Sequence, residues 1–154
     1  MSGPHFELLE TGEQRAAVYW QMERCGLLRI NMHAWARPTL ADWLDMTEPG
    51  DCDVWSADGW GVYYLTRGLG EIPFAHFAVW PEARGEAEKF LRAALAHGFA
   101  VYNFGAVLGL TPAKFRHVFP LLMSCGFEVL ARLPGAVSLY GTPADGVLSI
   151  IRRR

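Results

Sequence analysis

Apolar and polar positions change period several times along the chain. From Glu13 to Cys25, Ala17, Trp20 and Met22 recur loosely at helical spacing, with Leu28 beyond; the pattern predicts a helix, and Gly26 offers a stop. Thr39 to Met46 reads as a second, short helix, with Thr39 as cap and Asp42 as the acidic partner of a loose capping box. Pro49-Gly50-Asp51 breaks the chain. Asp53–Ser56, the turn Ala57-Asp58-Gly59 and Gly61–Thr66 then read as a hairpin rich in Val and Tyr. Gly68, Gly70 and Pro73 lead to the apolar run Ala75–Trp80, expected as the central strand. Gly85–His97 is predicted as a long helix with Phe90, Leu91, Ala94 and Leu95 on one face. Phe99–Val107 is expected as a strand. Pro112–Cys125 is expected as a second long helix, entered through Thr111-Pro112 and stopped at Gly126. Phe127–Leu133 reads as a strand, Pro134-Gly135 as a turn, and Val137–Tyr140 and Gly146–Ile151 as final strands.

Helices that alternate with strands after an antiparallel opening predict an α/β (α+β) fold, a mixed β-sheet flanked by helices. With 154 residues and no internal repeat or linker, residues 1–154 read as one domain. The formal charge of −2 gives no global pull toward nucleic acid, and Arg152-Arg153-Arg154 is too short to argue for it. No apolar run reaches the roughly 20 residues of a membrane span. The opening MSGPHFELLE has neither the basic region nor the apolar core of a signal peptide. Cys25, Cys52 and Cys125 show no C-x-x-C spacing, so reduced thiols and a cytoplasmic location are expected.

The strand–turn–helix around Phe77–Leu95 carries the most chemistry. A helix N-terminus exposes unpaired N–H groups and positive dipole density, which makes it a natural anion site. The order Val79-x-Pro81-x-x-Arg84-Gly85 resembles the phosphate-cradling segment of the GNAT N-acetyltransferase superfamily, whose pattern is Q/R-x-x-G-x-G/A. With Arg84 in first place, Ala87 and Lys89 fill the two small positions; a second register from Glu82 puts Gly85 and Ala87 there. The first register keeps the Val79-to-Arg84 spacing. Further on, Ser124-Cys125-Gly126-Phe127 resembles the Gly-Phe helix end of many members, so the resemblance covers roughly Trp60 to Ile150.

The resemblance implies acetyl-CoA as co-substrate. Phe77, Ala78 and Val79 would hold the acyl arm, with the backbone N–H of Val79, or of a neighbour, polarising the thioester carbonyl. The turn Arg84, Gly85, Glu86, Ala87, Glu88 and Lys89 would hold the pyrophosphate, with Lys89 as a point charge. It also implies that the central strand and the next one splay apart to seat pantetheine. Lys114 and Phe115 stand in the neighbourhood of the Asn that many members carry early in the second helix. Leu122 replaces the Tyr that many use to protonate the leaving thiolate.

Acyl transfer to an amine calls for a general base, and a Glu or His suits the task. Glu71, just before the central strand, lies near where family members carry a Glu base. His76 lies within the strand, on the face opposite Phe77 and Val79 by alternation. Tyr63, Tyr64, Tyr102 and Tyr140 are candidate acids. His33, His97 and His117 show no metal-ligand spacing, so no metal is assigned. All six tryptophans fall between residues 20 and 80, to pack the N-terminal helices on the sheet or to line an acceptor cleft. The expected function is acetyl transfer from acetyl-CoA to a primary amine. The alternative is a GNAT-fold binding or assembly module without activity. No nucleic acid or membrane partner is expected, and a homodimer stays open.

Overall fold

The computed structural model describes residues 2–154. In chain order its elements are β1 (Glu7–Leu8), α1 (Gly12–Arg24), α2 (Leu28–Asn31), α3 (Leu40–Met46), β2 (Cys52–Ala57), β3 (Gly61–Leu69) and β4 (Ile72–Val79). A 3-10 turn (Pro81–Glu86) leads into α4 (Ala87–Val101), and β5 (Ala106–Pro112), α5 (Val118–Ser124), β6 (Glu128–Leu139) and β7 (Thr142–Arg152) follow. The strands form one seven-stranded sheet in the order β1-β2-β3-β4-β5-β7-β6. Only β4 and β5 run parallel. The mixed sheet flanked by helices is the architecture expected above.

Capping boxes start the two longer N-terminal helices: Thr11 with Gln14 opens α1, and Thr39 with Asp42 opens α3. Strand alternation then sorts side chains to two faces. Val54, Val62, Tyr64 and Ala78 pack under α1–α3 with Val18, Met22 and Trp43. Ala75, Phe77 and Val79 pack on the other face with Phe90, Leu91, Leu95 and Leu122 of α4 and α5. His76 therefore lies opposite Phe77 and Val79, as alternation requires. Trp43, Trp60 and Trp80 are core residues, whereas Trp20 is exposed.

Several boundaries differ from the sequence reading, and three of the differences have a physical reason. The helix expected to end at His97 runs on to Val101, and the next strand is Ala106–Pro112 rather than Phe99–Val107. Gly98 does not stop the helix because it is a contact position: a Cβ there would lie 3.8 Å from the Phe104 ring and 3.9 Å from the Tyr63 hydroxyl. It continues the buried stripe of Phe90, Leu91, Ala94 and Leu95. Second, Pro112 ends β5 instead of opening a helix. Pro120 gives the reason. In a helix running from Pro112 its ring would clash with the Arg116 carbonyl and its missing N–H would leave that carbonyl unpaired; a helix that starts at Val118 places Pro120 in the first turn, where no N–H is needed. Third, Pro134-Gly135 is not a turn between two strands. β6 is continuous, and its register on β7 slips between Leu133 and Val137. Gly135 has φ 64° within this bulge, and its N–H donates to Asp145 Oδ1 at 3.3 Å. As an edge strand, β6 tolerates Pro134.

The feature that positions the site is the seam between β4 and β5. They share a single register pair, Phe74 with Leu108. β4 stays paired to β3 as far as Val79, and β5 to β7 as far as Pro112. Beyond the one shared pair the two strands diverge, which is the splay implied above.

Candidate functional site

The divergence opens a cavity of about 310 Å³. Its side walls are Ala75–Val79 of β4 and Gly109–Pro112 of β5. Each strand is paired on its outer side only, so alternate backbone N–H and C=O groups face the gap without a ladder partner. The lining comes from both helical layers. Leu27, Ile30, Asn31, His33, Tyr64 and His76 contribute on the α1–α3 side; Arg84, Ala87, Leu91, Leu121 and Leu122 contribute on the α4–α5 side. Phe115 and His117, between β5 and α5, and Val118 at the start of α5 complete the lining. The cleft thus passes through the sheet, with one mouth in each layer.

At the α4 mouth, Arg84, Ala87 and Leu91 fall on one helical stripe. Arg84 is exposed and makes no ion pair among the described residues. Two nearby carboxylates are engaged elsewhere: Glu86 with Lys89 at 3.8 Å, and Glu88 with Arg92 at 2.8 Å. Lys89 also lies 5.3 Å over the Trp60 ring and does not line the cleft.

At the other mouth, His76 stacks on Tyr64 with centroids 4.7 Å apart and planes 9° apart. Its Nε2 lies 2.9 Å from Thr66 Oγ1. When Nε2–H donates to that hydroxyl, Nδ1 keeps its lone pair. Burial, then the neighbouring His33, push the His76 pKa down to about 4, so the imidazole is neutral at pH 7. Burial raises the Tyr64 hydroxyl above its ordinary range, and its weak contacts are the Asn31 carbonyl and Oδ1, both at 3.4 Å. His33 Nδ1 lies 3.1 Å from the Ser138 carbonyl, and the Tyr140 N–H donates to the His33 carbonyl at 2.6 Å. These bonds tie the loop after α2 to the end of β6.

Of the residues singled out in the sequence, the structure brings His76, Phe77, Ala78, Val79, Arg84, Ala87 and Phe115 together at the cleft. It does not bring Glu71 there. Glu71 sits in the β3–β4 turn, on a separate depression with Asp51 and Arg67. At about 3.3 Å per residue it lies roughly 16 Å along the strand from His76, at the end of β4 away from the splay. Gly85, Glu86, Glu88, Lys89 and Lys114 also stand outside the lining. Tyr63, Tyr102 and His97 belong to a different cluster, in which Tyr63 Oη meets His97 Nδ1 at 2.6 Å and the Trp55 indole donates to Tyr102 Oη at 3.0 Å. Leu27, Ile30 and Asn31 carried no sequence signal, because α2 is a four-residue helix without a cap motif. Among the described residues no group of His, Cys, Asp and Glu is placed to hold a metal ion, and no helix is long and apolar enough to cross a membrane.

The half-buried His76 imidazole sets a pH dependence of stability. Because the folded His76 pKa lies below the unfolded value, its contribution is complete above about pH 6.5 and is lost as pH falls toward about 4. The shift corresponds to about 3 kcal/mol. Urea unfolding at pH 7.5 and 4.5 is expected to show a smaller acid loss for His76→Gln than for wild type. Equal losses would show that His76 titrates normally in the folded protein.

No protein-family model matches the sequence, and no curated protein matches it significantly. Solved structures do match the fold. One is a spermidine N-acetyltransferase from Vibrio cholerae in complex with CoA and spermine, at 14% identity and TM-score 0.68, covering 96% of this chain and 95% of that one. Another is an N-acetyltransferase from Staphylococcus aureus Mu50, at 12% identity and TM-score 0.73, covering 96% and 97%. The mixed seven-stranded sheet flanked by helices thus has the GNAT fold of these structures.

Proposed function

We propose that the chain is an N-acetyltransferase that moves acetyl from acetyl-CoA to a primary amine. The observation that carries this reading is the cleft through the sheet, with an unpaired arginine at one mouth and imidazoles at the other. Its walls fit the co-substrate. Unpaired strand backbone at Ala75–Val79 suits the amide-bearing pantetheine arm, and the Arg84 guanidinium at the start of α4 suits the pyrophosphate. Ala87 keeps that wall low; Lys89, held by Glu86 and Trp60, is not needed there.

The bound thioester supplies an electrophilic carbonyl. A β4 amide at Val79 would polarise its oxygen. The amine enters from the α1–α3 side as free base, its nitrogen attacks the carbonyl carbon, and the C–S bond breaks. Nδ1 of His76 would take the proton that the nitrogen sheds. CoA leaves as thiolate and takes up a proton, giving CoA and the N-acetyl amine. Neighbours of this fold that act on spermidine support amine chemistry in such a cleft.

A second reading, a cofactor-binding module without turnover, is favoured by Leu122. It lines the cleft where the resemblance expects a tyrosine acid, and the only tyrosine in the lining, Tyr64, is buried. Calorimetry with acetyl-CoA tests both readings. Binding is expected for wild type, and Arg84→Ala should weaken it about tenfold, the ~1.4 kcal/mol of one charge-assisted contact. No binding by wild type would sink both readings; binding without acetylation of any amine would favour the module.

A further inference from the structure

The mouth on the α1–α3 side has a chemistry of its own. Its floor is the parallel ring pair Tyr64 and His76, with centroids 4.7 Å apart. Its wall is His33 set edge-on to Phe115 at 5.8 Å and 87°. The wall is built into the fold, because the His33 ring and carbonyl both bond to the end of β6. Ile30, 38% exposed, forms the rim. Among the described residues the only permanently charged side chain in the lining is Arg84, a cation, and no carboxylate lines the cleft.

We propose that this mouth accepts a small primary amine carried on an aromatic or similarly flat apolar body, and that it discriminates against polyamines. This rests on the acetyl-transfer reading. Flat apolar bodies gain from offset stacking and edge contacts with the His76, His33 and Phe115 rings, while the buried Tyr64 backs His76. A polyamine would bring two or more ammonium groups. At most one of them loses its charge to react. The others would have to shed water against Leu27, Ile30 and Phe115 with no anionic partner, and Arg84 across the sheet adds repulsion. The cleft therefore differs in preference from what its spermidine-acetylating structural neighbours act on, although the fold is shared.

The test compares phenethylamine with spermidine as acceptors for the full chain with saturating acetyl-CoA at pH 8, read as kcat/KM. Wild type is expected to favour phenethylamine by roughly tenfold or more. Ile30→Glu, which places a carboxylate at the rim, should shift the ratio toward spermidine by about fivefold. A wild-type preference for spermidine, or a ratio indifferent to Ile30→Glu, overturns the assignment. Acetyl-CoA binding is measured separately by calorimetry without amine. Its absence overturns the acetyl-transfer reading together with this one, whereas binding without a phenethylamine preference overturns the acceptor class alone.

Discussion

His76→Ala is expected to lower the turnover number for amine acetylation by about 10²–10⁴-fold, the range for removing a positioned general base. The imidazole lines the cleft on the acceptor side, is neutral at pH 7 and directs one nitrogen to Thr66. A base with pKa near 4 cannot strip an ammonium ion in bulk water. Its task is narrower. As the C–N bond forms, the nitrogen becomes cationic and far more acidic than a free ammonium, and a neutral imidazole beside it can then take the proton. The rate should accordingly rise with pH through the pKa of the amine and show no step near pH 6.5. His76→Gln, which retains a polar end toward Thr66, should lose the same activity with less damage to the fold, as circular dichroism can check. If both variants turn over at the wild-type rate, proton acceptance belongs to His33 or His117, the other imidazoles of the lining. Substituting either would then give the large loss.

Legibility in the sequence followed the range of the interactions involved. The capping boxes at Thr39–Asp42 and the alternation that separates His76 from Phe77 and Val79 are local, and the sequence pattern shows them directly. The splay was not visible in periodicity. It came through the resemblance around Val79-x-Pro81-x-x-Arg84-Gly85, and the single Phe74–Leu108 pair bears it out. Boundaries failed where a long-range contact overrode a local signal. The sequence pattern ends the helix at His97, yet Gly98, facing Phe104 and Tyr63, is a contact position inside α4. Pro120 was the local signal that would have placed the start of α5, and Thr111-Pro112 masked it by looking like a helix start. Glu71 shows a different limit. A strand position can be assigned from sequence, but which end of the strand opens depends on where β5 leaves it, and that is a tertiary fact. The acceptor mouth was least legible, because Leu27, Ile30 and His33 come from a short helix and its following loop, fixed by hydrogen bonds to residues more than a hundred positions away.

Trp43→Ala should cost about 3–5 kcal/mol of stability, at the upper end for a buried aromatic. The side chain is fully buried in the layer under α1–α3. Its indole N–H donates to the Arg15 carbonyl at 2.8 Å, and its ring meets Tyr64 edge-on at 5.4 Å. Arg15, itself buried, holds the end of α3: Nη1 donates to the Leu44 and Thr47 carbonyls at 3.1 Å each and to Thr47 Oγ1 at 3.2 Å. A guanidinium at the negative end of a short helix offsets its unpaired carbonyls. Truncation at Trp43 therefore opens a cavity and also removes the indole bond to the Arg15 carbonyl, beside a buried cation whose own network is pinned by α3. Trp43→Phe keeps most of the volume and loses the N–H, so it should cost roughly 1–3 kcal/mol. Urea unfolding at pH 7.5 measures both, and the order Ala above Phe is the expected result. The consequence for function runs through Tyr64. Its ring rests on Trp43 on one side and on His76 on the other. A Trp43→Phe protein that remains folded should therefore show a raised KM for the amine while its acetyl-CoA affinity stays near wild type. An Ala variant that costs less than about 1 kcal/mol would mean that α3 is not part of the cooperative core, and the floor of the acceptor mouth would then need another support.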